Sequence, residues 1–148
     1  MAAPAEKIPV TVTSQPTGES DPTWTKLTNG GIFQARGKTA QWTFIIRDQN
    51  GEAILEGVSD NTANTRINLK KQALIVVYDA VWTVQGGTFE GIVKMKILNY
   101  DTTNPLIWDL DIHCVLRGTG DYQGQTLMLS YEGGIIPAPV WEGVLIKP

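Results

Sequence analysis

Apolar and polar residues alternate along most of this chain with a repeat of two residues. Threonine, valine, isoleucine and aromatic residues fill the alternating segments. No long segment follows the 3.6-residue repeat of an amphipathic helix. A two-residue repeat sends successive side chains to opposite faces of a strand. The pattern therefore predicts an all-β chain.

The first predicted hairpin turns at Asn50-Gly51, because both residues tolerate the positive φ that a two-residue turn requires. The strand before this turn alternates apolar residues with polar or outward-facing ones. Pairing across the turn places Ile46 opposite Leu55. The two residues are thereby predicted to share the apolar face of the hairpin.

The second predicted hairpin joins residues 74–85 to residues 88–98 through Gly86-Gly87. In this register the apolar residues of both strands share one face. Trp82 is expected opposite Gly91, where its ring can cover bare backbone. A register shift of one residue would expose the apolar residues of one strand to water. The pattern therefore strongly specifies which face of each strand is turned to the interior.

Further strands continue the same apolar face to the C-terminus. A third strand ends at Leu116, the glycine run 118–124 returns the chain to a strand at Leu127, and a last strand covers about 140–147. With the first hairpin and residues 31–36, the count is eight or nine. A sheet of this size removes its exposed edges by closing. We predict a single-domain antiparallel meander that closes into a roughly eight-stranded barrel, with a two-sheet β-sandwich as the alternative.

The chain start differs in composition from the rest. Residues 1–30 are predicted as an N-terminal arm, and residues 31–148 as the barrel domain. Val10 and Val12 predict one short strand within the arm. The segment 14–22 is rich in proline, glycine and serine, which predicts a linker.

Charge and cysteine content exclude several classes of protein. The chain has 148 residues, a net charge of −3 and one cysteine. It cannot form an internal disulfide, and it lacks the basic surface expected for nucleic acid or an anionic membrane as a partner. No apolar stretch approaches the roughly 18 residues of a membrane-spanning helix. The first residues do not resemble a signal peptide, and the location is left open, with the cytoplasm favoured.

The glycine run carries a family resemblance. Gly118-Thr119-Gly120, Tyr122 and Gly124 match the Gly-(Thr/Ser)-Gly-x-aromatic-x-Gly segment of the allene oxide cyclase and dirigent barrels. Upstream, residues 87–91 are similar to the glycine-aromatic hairpin entries of such barrels, so the resemblance covers about residues 80–147. It implies an allene oxide cyclase-like or calycin-like barrel, often oligomeric, with a mostly apolar interior. Members isomerise or cyclise an apolar substrate, or steer the coupling of phenoxy radicals.

The chain departs from the family pattern in two places. Thr126-Leu127 stand where the next glycine of the motif is expected. The cyclases are expected to place polar residues, including a glutamate and an asparagine, near the first strand, where this chain has Ile8–Thr13. No catalytic set is carried over from the family.

Five residues on the predicted interior are candidates for binding a small apolar ligand. They are Tyr78, Met95, Trp108, Cys114 and Tyr131. A packed core is the alternative, because side chains alone can fill an eight-stranded barrel. Burial is expected to raise the pKa of Cys114 and leave its thiol inert. The two-residue alternation also places Trp42 and Trp82 among the apolar residues that face the interior. Trp24 and Trp141 remain candidates for contacts at the surface.

Asp109, Asp111 and His113 alternate along one strand and therefore share a face. Two carboxylates and an imidazole are candidates for metal binding or acid–base chemistry. The predicted register favours charged ladders on a solvated outer face instead, so we expect no metal and no cofactor. These ladders are Asp79–Lys94–Asp111 and Lys96–Asp109.

The outer face also carries an apolar strip, which indicates a subunit contact and a homo-oligomer. Its residues are Val81, Ile92 and His113, with Ile75, Leu98 and Ile107 nearby. The leading hypothesis is a barrel protein, without assigned catalysis, that binds a small apolar ligand in its interior. The alternatives are a cyclase or isomerase acting on an apolar substrate, and a structural or assembly module.

Overall fold

The computed structural model describes residues 4–135 and 138–148, so the first three residues of the predicted arm lie outside the described residues. The described chain forms nine strands and two single-turn 3-10 helices, Pro105–Ile107 and Gly120–Tyr122. The strands are β1 (Glu6–Glu19), β2 (Trp24–Leu27), β3 (Ile32–Asp48), β4 (Ala53–Asn68), β5 (Ala73–Val84), β6 (Gly87–Leu98), β7 (Asp109–Gly118), β8 (Thr126–Gly133) and β9 (Trp141–Lys147). No helix among the described residues has the length and hydropathy of a membrane span.

The sheet closes into a barrel. Strands β3 to β9 pair antiparallel in chain order, and β1 pairs with both β9 and β3. These eight strands form the closed wall, and β2 is an extra strand that pairs with β3 beyond the end of β1. The predicted antiparallel eight-stranded barrel is confirmed, and the sandwich alternative is wrong.

The N-terminal region contributes a full barrel strand. β1 covers 14 residues and continues through most of the segment expected to be a linker. The register between β1 and β3 shifts between Pro16 and Gly18, which marks a bulge. Proline is tolerated at such a position because β9 pairs with β1 only as far as Val12 and leaves one edge of β1 free there. The proline and glycine signal therefore marks a bulge within a strand.

β3 unites two segments that the sequence pattern separates, residues 31–36 and the strand before Asn50. The register between β3 and β4 shifts at Gly37, whose φ is +76°. A side chain there would also collide with the Thr23 hydroxyl, because a Cβ on Gly37 would overlap Thr23 Oγ1. A glycine bulge thus lets one strand change face without ending.

The two predicted hairpins differ in how well their registers agree with the structure. Ile46 lies opposite Leu55 as predicted. In the second hairpin the turn residues are Gln85-Gly86, and the register is shifted by two, so Trp82 lies opposite Phe89. A shift of two preserves the face of every side chain, so the apolar pattern does not detect it.

The barrel has two different ends. The hairpin end carries the turns at 49–52 and 85–86 and the glycine run, and the loop end carries the connections 69–72 and 99–108. Tyr122 covers the hairpin end: its ring centroid lies 5.3 Å from that of Phe89, and its hydroxyl donates to the Gln85 carbonyl at 2.6 Å. The glycine run is therefore a structural cap on a packed core.

Candidate functional site

The five predicted interior residues all pack within or against the core. Tyr78 and Cys114 lie in one inward row on either side of Val93, and Met95 and Tyr131 lie in the next row. Cys114 is 4% exposed, whereas the others are partly exposed at the loop end. The structure thus brings the predicted set to one end of the barrel.

Cys114 is a buried free thiol whose pKa is raised to about 12, chiefly by desolvation. The neighbouring His113 faces outward, since successive residues of β7 point to opposite faces. The thiol therefore stays protonated at neutral pH and has no imidazole beside it on the inner face.

Trp108 and Tyr131 use their polar atoms to hold the loop end. Trp108 Nε1 donates to the Asp101 carbonyl at 2.9 Å, and its ring lies 5.0 Å from that of Tyr100. The Tyr131 hydroxyl donates to the Gly134 carbonyl. Both side chains fix local backbone, so their polar groups are already occupied.

Two buried polar residues on β4 were missed by the sequence analysis. Ser59 and Asn61 are 4% and 9% exposed and share the inward face with Ala63. Asn61 Nδ2 donates to Ser59 Oγ and to the Ala40 carbonyl, both at 3.2 Å. The sequence does contain a signal for these residues, because short side chains occupy every second position from Ser59 to Ala63. Short side chains suit an inward face that large side chains from the opposite wall crowd.

The bulges turn two charged residues inward. After the shifts in β1 and β3, Glu19 lies opposite Ala40, and Lys38 lies opposite the buried Ala63. Lys38 Nζ is 2.7 Å from a Glu19 carboxylate oxygen. An ion pair therefore stands at the loop end on the inner side of the wall.

Tyr78 carries an unoccupied polar group at this end. Its pKa is raised to about 12, first by burial and then by the charge of Glu19. Among the described residues none forms a hydrogen bond with its hydroxyl. Tyr78 is therefore a neutral phenol at physiological pH and can donate a hydrogen bond to a ligand.

These groups form one inner surface at the loop end. β9 leaves β1 after Val12, so no strand closes this part of the described wall, and the inward-facing Trp42 is 36% exposed. Deeper inside, Trp82 Nε1 is buried without an acceptor among the described residues. We name the set the loop-end surface: Glu19, Lys38, Trp42, Asn61 and Tyr78.

The tryptophans agree only partly with their predicted places. Trp82 is buried, and Trp42 faces inward but remains partly exposed. Trp141, expected at the surface, packs inside with its ring 5.8 Å from that of Trp82. Trp24 is 40% exposed and lies under the Arg36 guanidinium at 4.8 Å.

Two pockets lie away from the predicted interior set. A groove of about 720 Å³ crosses the outer wall from β1 to β6, where Gln41 Nε2 donates to Asp60 Oδ1 at 2.9 Å. Glu19 and Asn61 of the loop-end surface also line this groove. A smaller pocket of about 440 Å³ lies at the hairpin end beside Tyr122. Neither pocket is lined by any of the five predicted ligand-binding residues.

Asp109, Asp111 and His113 face outward as predicted, but the two charged ladders are wrong. Lys94 lies opposite His113, and Lys96 lies opposite Asp111. The predicted register is in error by two residues. Such a shift changes the cross-strand partner of every residue but leaves each side chain on the same face of the sheet. His113 Nε2 lies 2.7 Å from Asp111 Oδ1 on the same strand.

The predicted apolar strip also needs correction. Ile92 lies opposite Asp79 on one side and Val115 on the other, so it aligns with neither Val81 nor His113. Instead, direct cross-strand pairs form a continuous outer apolar row. Its residues are Ile92, Val115, Met128, Val144 and Pro9.

Comparisons with models of protein families, with curated proteins and with solved structures found no match. The resemblance to the allene oxide cyclase and dirigent barrels therefore stays a prediction from the glycine run. The closed eight-stranded barrel is a property of the structure itself.

Proposed function

We propose that the protein binds a small, largely apolar molecule on the loop-end surface. The barrel centre and the hairpin end are filled by side chains such as Phe44, Trp82 and Phe89. The loop end is where inward-facing aromatic surface stays open to solvent. The proposed site therefore occupies one mouth of the barrel rather than its centre.

The observation that carries this proposal is the free hydroxyl of Tyr78 on the same inner surface as the half-open ring of Trp42, two cross-strand rows away. Ligand sites combine apolar walls with a few convergent polar groups. Here the Trp42 ring supplies apolar area, and the Tyr78 hydroxyl supplies a donor. The orphaned Trp82 Nε1 supplies a second donor deeper inside. To accept a hydrogen bond from either donor, the ligand must carry an acceptor oxygen, such as that of a carbonyl or hydroxyl group.

Replacing Trp42 with alanine is expected to weaken ligand binding on the order of tenfold or more, because an aromatic anchor in a pocket contributes about 2 kcal/mol. The measurement is a fluorescence titration with 6-propionyl-2-(dimethylamino)naphthalene, a neutral apolar probe that carries an acceptor carbonyl. Trp24→Ala is the matched control, since Trp24 has similar exposure but lies beside Arg36 on the outer face. Equal affinities for both variants and the wild type would reject the site.

A second candidate function is assembly with further copies of the chain. The outer apolar row crosses five neighbouring strands, and Ile92, Val115 and Met128 are 48%, 42% and 43% exposed. Charges of both signs flank the row: Glu90 pairs with Arg117 on one side, and Lys94 lies on the other. A second copy packed across the row would cover apolar area and pair opposite charges.

For this assembly, we expect Met128→Glu to convert an oligomer into a monomer of 16.2 kDa, because it places a charge in the centre of the row. Light scattering on a size-exclusion column measures the mass directly. Asn64→Glu is the control, since it adds the same charge to an exposed outer position on β4 away from the row. A wild-type protein that is monomeric at high concentration would exclude assembly.

Catalysis on the same bound molecule is a further candidate, favoured by the charge of Glu19 acting on the Tyr78 phenol. A carboxylate whose charge reaches a neutral phenol can act as base while the phenol donates a hydrogen bond in an isomerisation or cyclisation. Such an enzyme would rearrange a bound molecule in the wild type and leave it unchanged in Glu19→Gln, which nuclear magnetic resonance of the released molecule distinguishes.

A further inference from the structure

We propose that Asp111, His113 and Glu132 form a binding site for a divalent transition metal ion such as zinc on the outer wall of the barrel. This site is separate from the loop-end surface, because all three side chains face outward from β7 and β8. Nothing in the proposed ligand-binding function depends on it.

The three residues are held together by the sheet. Asp111 and His113 are two apart on β7 and therefore share a face, and Glu132 lies directly opposite Asp111 on β8. One ligand atom from each lies within 4.8 Å of the other two. Two ligands at about 2.0–2.1 Å from a tetrahedral zinc ion are about 3.3 Å apart. His113 Nε2 and Asp111 Oδ1, which lie 2.7 Å apart, would separate slightly to hold the ion, and the exposed Glu132 can approach by a rotamer change.

The charges around the cluster are not balanced within the described chain. Like charges directly opposite each other on neighbouring strands destabilise a sheet, and Asp111 and Glu132 are such a pair. Lys96 lies opposite Asp111 on the other side, yet among the described residues no ion pair joins Lys96 to either carboxylate. A bound cation would cancel the repulsion between Asp111 and Glu132, which Lys96 does not neutralise.

One atom of the cluster also lacks a hydrogen bond. Asp111 Oδ1 is buried and accepts none from the described residues. His113 Nε2 is close but is not aligned as a donor toward it. Two ligand atoms this close together, one of them without a hydrogen-bond partner among the described residues, can share one metal ion.

The donor set indicates the class of metal. An imidazole nitrogen with two carboxylates suits zinc and its transition-metal neighbours, whereas magnesium and calcium prefer oxygen ligands alone. Three protein ligands on an exposed wall leave at least one position for water. The buried Cys114 faces the other side of the wall and is excluded as a ligand.

Zinc titration of the tag-free, chelator-treated protein tests the proposal. We expect one equivalent of zinc to bind in isothermal calorimetry. Loss of a supporting group around a metal costs roughly 10–100-fold in affinity, so loss of a direct ligand in His113→Ala or Glu132→Gln should cost at least about tenfold. Asp109→Asn is the matched control on the same strand and face, and it should bind zinc as the wild type does.

A second measurement separates binding at this site from binding elsewhere. His113 is the only histidine in the sequence, so its imidazole resonances in a nuclear magnetic resonance spectrum report on this site alone. We expect them to shift and saturate at one equivalent of zinc. An unshifted imidazole, or equal zinc affinity in the wild type and His113→Ala, overturns the proposal.

Discussion

Replacing Phe89 with alanine is expected to lower the free energy of unfolding by about 3–5 kcal/mol. Phe89 is 1% exposed, and its ring contacts that of Tyr122, which caps the hairpin end. Removing the ring loses apolar burial and leaves a cavity beneath the cap. The cap cannot collapse into this cavity, because the Tyr122 hydroxyl is held by the Gln85 carbonyl.

Urea unfolding followed by tryptophan fluorescence measures this loss. Leu98→Ala is the matched control: Leu98 lies on the same strand but is 55% exposed, so a change within about 0.5 kcal/mol is expected. A Phe89→Ala variant as stable as the Leu98→Ala variant would contradict the assignment of the hairpin end as a packed core.

Gly143→Ala is expected to destabilise the barrel by about 1–3 kcal/mol or more, because no side chain fits at this position. A Cβ on Gly143 would overlap the Met128 carbonyl oxygen and would lie 2.9 Å from the Leu129 Cα, both on the paired strand β8. Backbone atoms cannot rotate away as a side chain can. The substitution must therefore separate β9 from β8.

Amide hydrogen exchange locates this damage, since it should accelerate first in the β8–β9 pair. Gly18→Ala is the control, because a Cβ added there would have no atom within 4 Å and the backbone of Gly18 is not left-handed. It is expected to be neutral or to stabilise by about 0.4–1 kcal/mol. If both substitutions had the same effect, the close approach of β8 to Gly143 would be refuted.

The barrel could be predicted from the sequence because a two-residue period assigns each side chain to a face. This logic correctly placed Cys114 inside and His113 outside. It could not fix cross-strand partners, because a shift of two residues leaves every face unchanged. The charged ladders and the apolar strip depended on those partners, and both were corrected by the structure.

The loop-end surface was only partly predictable. Tyr78 was named from the sequence, because it alternates with apolar residues on β5. Glu19 and Lys38 were missed, because bulges near Pro16 and at Gly37 reverse the faces that a regular alternation assigns. No local pattern shows that a proline-glycine segment will be a bulge in a strand rather than a linker.

We propose that a small apolar molecule binds at the open mouth of the barrel. The decisive measurement is a set of intermolecular nuclear Overhauser effects between the carbonyl-bearing naphthalene probe and isotope-labelled protein. We expect contacts from the probe to the Trp42 indole, the Tyr78 ring and the Met95 methyl group. Contacts confined to Gln41 and Thr62 in the outer groove would contradict it.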